Sequence, residues 1–225
     1  AKGAIRVIGI TGTKGKTTTA YMTRALLEAA GHKTGVMGTI GADIDGNIEP
    51  LDNTTPISHE VFRQLRRMAD AGCEYAVMEV SSIALREHRV YGLPFEVGVF
   101  TNFSEDHIGG VEHKDMEEYL QCKALLFSMC KTGVVNADDP ATEKLLESST
   151  CEVYRFSMEG RGDMNGDNCR HLNQPGILGV EFDISGDLEL SPKVGIPGRF
   201  NAYNALAAVS CCHKLGVPKD ALLEG

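Results

Sequence analysis

Residues Thr11, Gly12, Thr13, Lys14, Gly15, Lys16, Thr17 and Thr18 follow without a break on the apolar run 5–10. A helical pattern (Tyr21, Met22, Ala25, Leu26, Ala29) comes directly after them. A strand, a glycine turn and a helix must therefore meet end to end. Such a turn aims successive backbone N–H groups at an anion, and the helix presents its N-terminus to the same charge. Lys16 adds a point charge for the outer phosphates of a nucleotide, and the Thr17 hydroxyl is a ligand for Mg²⁺. The motif is shorter than the usual phosphate loop, which needs a glycine five residues ahead of Gly15; Ile10 stands there instead.

The rest of the chain alternates in the same sense. Strand-like runs cover 5–10, 34–40, 75–80, 97–101, 133–136 and 151–156, and helix-like runs cover 16–30, 57–71, 114–130, 140–147 and 200–215. This alternation predicts an α/β fold: a mainly parallel sheet with helices on both faces. Segment 157–195 differs. It carries Gly- and Asp-rich stretches read as turns (160–163 and Asn165, Gly166, Asp167) between alternating runs at 179–184 and 187–190, and so predicts a small antiparallel part. A hairpin is expected around Asp45, Gly46 and Asn47, and a short helix from near Pro218.

In open α/β sheets ligands sit at the carboxyl ends of the strands. Three polar clusters fall there: 12–17, 79–82 and 101–107. Glu79 ends an apolar run and reads either as a solvated strand end or as a Mg²⁺ ligand beside the loop. His107 reads either as an exposed residue or as a second metal ligand. Lys123 shares a helical stripe with Met116, Tyr119, Leu120 and Phe127. Either it snorkels from the edge of that stripe, or it is buried and its charge is paired or lost. A neutral buried amine can add CO₂ to give a carbamate, an anionic oxygen ligand for Mg²⁺. Asn53, Thr54 and Thr55 precede Pro56 at a helix entry, where Thr55 reads as a cap or as part of a polar site. Asn201 and Asn204, three apart, open a late helix; one reads as its cap and the other as facing a nucleotide base.

Composition excludes several classes. Hydrophobic residues make up 42% and charged residues 24% of 225, which argues against disorder. The net charge of -9 opposes a role in coating nucleic acid. No apolar stretch is long enough to span a bilayer, so no membrane partner is expected. No leader is expected either, since Ala1, Lys2, Gly3 and Ala4 run straight into a strand. The seven cysteines include no Cys-x-x-Cys pair and read as reduced thiols of a cytoplasmic protein.

Taken together, the stretches 11–18, 53–56, 78–82, 88–90, 101–107, 119–127, 136–139 and 198–208 resemble the Mur ligase family. The resemblance implies that Gly12, Thr13, Lys14, Gly15, Lys16, Thr17 and Thr18 bind ATP, and that Asn201 or Asn204, the latter favoured, lies near the adenine. It implies that Thr17 and Glu79 hold one Mg²⁺, and that His107 and carbamylated Lys123 hold a second. Lys16, Glu79, His107 and Lys123 would be the catalytic set. Asn53, Thr54, Thr55, Ser81, Glu87 and Arg89 would line a muramoyl-peptide site. Ile83 stands where a polar residue is expected, and Glu87 where glutamine is common.

The implied activity is ATP-dependent amide ligation in peptidoglycan precursor synthesis. A diamino acid, L-lysine or meso-diaminopimelate, would be added to UDP-MurNAc-L-Ala-D-Glu through an acyl phosphate. Residues 1–225 would then be a single ATP-binding central domain, monomeric, from a three-domain enzyme. Other readings stay open at this point: another ligase of the family, including folylpolyglutamate and cyanophycin synthetases, a small-molecule kinase, or a non-catalytic nucleotide-binding module.

Overall fold

β1 (Arg6–Thr11) runs up the middle of the sheet and hands the chain to α1 (Lys16–Ala29) through the glycine turn. β2 (Thr34–Gly38) turns at once into the hairpin β3 (Gly41–Ile44) and β4 (Asn47–Glu49), around Asp45 and Gly46 as expected. There follow α2 (Ser58–Asp70), β5 (Tyr75–Glu79), α3 (Ser82–Arg86), β6 (Phe95–Phe100), α4 (Met116–Ala124), β7 (Cys130–Asn136), α5 (Thr142–Leu146) and β8 (Glu152–Ser157). The chain closes with β9 (Met164–Gln174), β10 (Ile177–Gly186), β11 (Lys193–Val194), α6 (Arg199–Lys214) and α7 (Lys219–Glu224). This computed structural model describes residues 5–106, 112–174 and 177–225.

The strands form one sheet in the order β11-β10-β9-β8-β7-β6-β1-β5-β2-β3-β4. Strands from β9 through β2 pair in parallel, and the two flanks pair antiparallel. From β1 the chain winds one way to β2 and β5, then returns to the other side of β1 for β6 and β7. The order therefore reverses between β1 and β6, and a crevice opens at their carboxyl ends. Both sequence clusters 12–17 and 101–106 lie at that crevice.

Side-chain alternation builds a core on each face. Ile8 and Ile10 of β1 pack with Leu26, Leu27, Leu206 and Val209 on the α1 and α6 side. Val7 packs with Val61, Leu65, Met68, Leu120 and Phe127 on the α2 and α4 side. α1 buries Thr19, Ala20, Thr23, Leu26 and Leu27, while Tyr21 and Met22 pack from the flank and Ala29 is exposed. The buried face is thus turned from the stripe read in the sequence, because small threonines fit closely against α6.

Three other local expectations are corrected. Asn165, Gly166 and Asp167 lie inside β9 rather than in a turn. Segment 187–190 is not a strand, though Leu190 bridges to Ile184. The run 114–130 is split: α4 ends at Ala124, a tighter turn covers Leu125–Ser128, and β7 begins at Cys130. Asp115 caps α4, its carboxylate accepting the Glu118 N–H at 2.8 Å, and so sets the phase of the helix.

Phe95 is fully buried and its ring lies against Gly9 so closely that a Cβ there would sit 2.8 Å from Cε1. Phe95→Ala is expected to cost about 3–5 kcal/mol by urea denaturation, and Gly9→Ala about 1–3 kcal/mol through overpacking.

Candidate active site

The glycine turn is shaped by what packs on it. Gly12 has φ 144°, and a Cβ on it would collide with the Thr101 hydroxyl. Gly15, at φ 86°, is the N-cap of α1, and a Cβ on it would collide with the Asn204 amide. No side chain caps α1, and no acidic residue lies in its first turn. The leading amides of the helix, including those of Thr17 and Thr18, are thus left without a capping side chain, which suits an anion. Lys14 is exposed and paired with Asp106 at 2.6 Å.

Two lysines converge on one carbonyl. Lys16 Nζ folds back to donate to the Gly12 and Thr13 carbonyls at 2.9 and 3.1 Å. Lys123 Nζ donates to the same Gly12 carbonyl at 3.1 Å and lies 4.2 Å from the centre of the Tyr119 ring. Lys123 is only 1% exposed. Burial, reinforced by the charge of Lys16, holds its ammonium well below the ordinary lysine range. Burial also lowers Lys16, with Glu79 opposing.

Glu79 is equally buried, and its oxygens are held by neutral donors. Thr17 Oγ1 and the Thr39 N–H both reach Oε1 at 2.9 Å, and Thr39 Oγ1 reaches Oε2 at 3.2 Å. Gly38 makes room, because any side chain there would overlap this carboxylate. The Thr17 hydroxyl and the Glu79 carboxylate form an oxygen pair at the foot of the loop, a fit for a hard cation. Among the described residues no three His, Cys, Asp or Glu side chains converge. That composition suits Mg²⁺, which is commonly held by one or two carboxylates together with phosphate oxygens. His107 lies outside the described residues.

The 53–55 segment is stitched to the same edge. Thr55 does not cap α2, whose N-cap is Ile57 with no side-chain hydrogen bond. Its buried hydroxyl instead donates to the Glu79 carbonyl at 2.8 Å and accepts from the Ser81 N–H at 3.0 Å. Thr54 Oγ1 is 3.1 Å from Thr39 Oγ1, and Asn53 is exposed beside them. Ser81 caps α3, accepting from the Ala84 N–H at 3.2 Å. Arg89 donates to the Thr55 carbonyl at 2.8 Å and to one Glu87 oxygen at 2.6 and 2.9 Å. Glu87 and Arg89 therefore face this edge as an ion pair, not as a free cation.

On the other side of the loop a cleft of about 520 Å³ is lined by Gly15, Asn102, Asn136, Phe200, Tyr203 and Asn204, among others. Neither asparagine of α6 caps it; the N-cap is Gly198. Asn201 Nδ2 donates to the Pro197 carbonyl at 2.8 Å, and Asn204 Nδ2 to Asn201 Oδ1 at 3.1 Å. Asn204 is thereby fixed against the loop, while Asn201 sits beneath it.

Sequence reasoning assigned no role to Thr39, Asn102, His113 or Tyr203. Thr39 follows directly on β2 at the same strand edge, a signal that the carboxyl-end rule would have caught. Buried His113 accepts or donates with Ser82 Oγ at 2.8 Å and packs on Tyr119, a contact between distant segments that spacing does not reveal. Tyr203 reaches Asp138 at 3.0 Å, and burial with this carboxylate pushes its phenol up to about 12.

Residues 10–212 match a family described as the Mur ligase middle domain. The UDP-N-acetylmuramoyl-L-alanyl-D-glutamate–2,6-diaminopimelate ligase 2 of Clostridium acetobutylicum is 37% identical over 98% of this chain and 45% of its own length. The corresponding ligase of Clostridium perfringens is 37% identical over 100% of this chain and 46% of its own. A solved structure of a ligase of that name superposes with a TM-score of 0.89 at 26% identity, over 99% of this chain and 46% of the other. MurF from Acinetobacter baumannii shares the fold at a TM-score of 0.77 and 22% identity, over 99% and 46% of the two chains. The chain thus spans a little under half the length of the curated relatives it matches.

Thr55→Val is expected to leave the Glu79 carbonyl and Ser81 N–H without their partner and to cost about 1–3 kcal/mol in urea denaturation. Thr55→Ser keeps the hydroxyl and should recover most of that loss.

Proposed function

The chain belongs to the Mur ligase family, and on that footing we propose that it is the ATP-binding part of a ligase that adds diaminopimelate to UDP-MurNAc-L-Ala-D-Glu. The work would be done in the cytoplasm, by a monomer, on the route to peptidoglycan. The observation that carries this reading is buried Lys123 donating to the Gly12 carbonyl of the phosphate loop. A nucleotide switch needs the loop, a cation and a sensor of the last phosphate; it has no use for a costly buried lysine. The names of the relatives favour diaminopimelate over lysine.

In the proposed reaction the substrate carboxylate attacks the γ-phosphate of ATP, ADP leaves, and an incoming amine displaces phosphate from the acyl phosphate. Thr17 and Glu79 are assigned to one Mg²⁺, and Lys123 as a carbamate, with His107, to a second. Magnesium, when bound, neutralises charge on the phosphates and on the attacking carboxylate. Lys16 and the amides of Gly15 to Thr18 are assigned to the phosphates, where fixed dipoles stabilise developing charge. Asn204 and the cleft beside it are assigned to the adenine, with Asn201 supporting. Asn53, Thr54, Thr55, Ser81, Glu87 and Arg89 are assigned to the muramoyl peptide. Selection of the amino acid is assigned to parts of such a ligase that lie outside this chain.

In the full-length ligase, Lys123→Ala is expected to lower ATP-dependent ligation by about 100-fold or more, the scale of losing one transition-state charge partner. Short carboxylic acids should restore part of the rate by standing in for the carbamate, and removal of Mg²⁺ with a chelator should abolish it. Undiminished ligation by the variant would sink the assignment of Lys123.

A further inference from the structure

We propose that Asn102 is a positioning residue for the phosphate loop, completing from the tip of β6 a turn that the shortened loop does not complete itself. This rests on the reading of that loop as the ATP site. Asn102 meets Lys14 as a neighbouring strand would. Its Oδ1 accepts from the Lys14 N–H at 2.9 Å, and its Nδ2 donates to the Lys14 carbonyl at 2.9 Å. Its own carbonyl accepts from the Thr13 N–H at 2.9 Å. Around this pair, Thr101 Oγ1 donates to the Lys14 carbonyl at 2.7 Å and the Ser104 N–H donates to Thr13 Oγ1 at 3.1 Å. The Thr13 N–H and both backbone groups of Lys14 are therefore bonded from outside, by one loop.

The physical need is plain in the sequence. Thr13 and Lys14 lie between two glycines, both at positive φ, and glycine loses more freedom on being fixed than any other residue. A free turn of this kind would have to be ordered by each nucleotide that enters. Held in advance, it presents the amides that follow Gly15 already aimed, and binding is not reduced by that ordering. Only a carboxamide offers a donor and an acceptor at the spacing of a peptide unit. An aspartate keeps the acceptor alone and adds negative charge; a leucine keeps the volume alone.

The test uses the full-length ligase, calorimetry with Mg²⁺–ATP and with Mg²⁺–tripolyphosphate, and hydrogen exchange at the Lys14 amide. Asn102→Ala and Asn102→Leu are expected to weaken both ligands by the same factor, about 10- to 30-fold for two lost hydrogen bonds. The Lys14 amide should exchange about tenfold faster. Asn102→Asp should keep that amide protected while still weakening both ligands, and it serves if the other variants do not fold. Three results overturn the proposal: ATP weakened with tripolyphosphate untouched, which makes Asn102 a base contact; both ligands bound as by the unaltered protein; or, in the alanine and leucine variants, unchanged exchange at Lys14. An unaltered full-length ligase that binds neither ligand overturns the ATP reading itself, and exchange at Lys14 still decides whether Asn102 fixes the loop.

Discussion

Register is the constraint on which everything at this edge depends. β1 is hydrogen-bonded in parallel on both sides, with Ile10 opposite Glu79 and Thr11 opposite Phe100. Side chains along a strand alternate between faces, so a slip of one residue turns each to the other face. A slip of β5 would move Glu79 away from Thr17 and bury its charge among the methionines and valines of the core. The two hydrophobic layers prevent this. Val7 and Ile8 are buried in the two cores on opposite faces, and a one-residue slip would exchange those faces. Apolar packing thus holds polar groups within hydrogen-bonding distance without touching them.

The edge so assembled is electrostatically unbalanced by design of its parts. Two ammonium groups share one carbonyl, and a buried carboxylate is met by hydroxyls and an amide. Bringing like charges into low dielectric is costly unless something of opposite sign joins them. A polyphosphate with its cation has that sign on one side, and a carbamate would supply it on the other. Glycine is what makes the crowding feasible: Gly12, Gly15 and Gly38 each leave room that a Cβ would fill, for Thr101, Asn204 and Glu79 in turn.

Most of the fold was legible because its central strands and helices carry their period in full. Six of the seven strands that pair in parallel, all but β9, and each long helix were visible, and boundaries moved by a few residues. The antiparallel flank was harder. Asn165, Gly166 and Asp167 look like a turn by composition, but β9 has a long partner in β10, and pairing overrides local preference. At the site, Lys123 was visible because a lysine on an apolar stripe is an anomaly that spacing exposes, and the structure buries it. Thr55 was read as a cap or as part of a polar site, because only its neighbours in sequence were visible; its hydrogen-bond partners, Glu79 and Ser81, lie more than twenty residues away. Asn102 had no signal beyond its place at a strand tip, since its role is a contact with a backbone rather than with a patterned side chain.

The order of strands has a consequence that is colloidal, not catalytic. A wide open sheet exposes two rows of unpaired peptide groups, and such edges template growth by strand addition. Here the edge strands, β4 with 3 residues and β11 with 2, are the shortest among the described residues. β4 carries Glu49, engaged by Arg63 and Arg67 from α2, and β11 carries Lys193. A second chain would find too few peptide groups to ladder onto and a charge to desolvate at each side. The breadth that lets seven parallel strands frame a crevice would otherwise invite fibrils; the stubby, charged margins make that breadth safe.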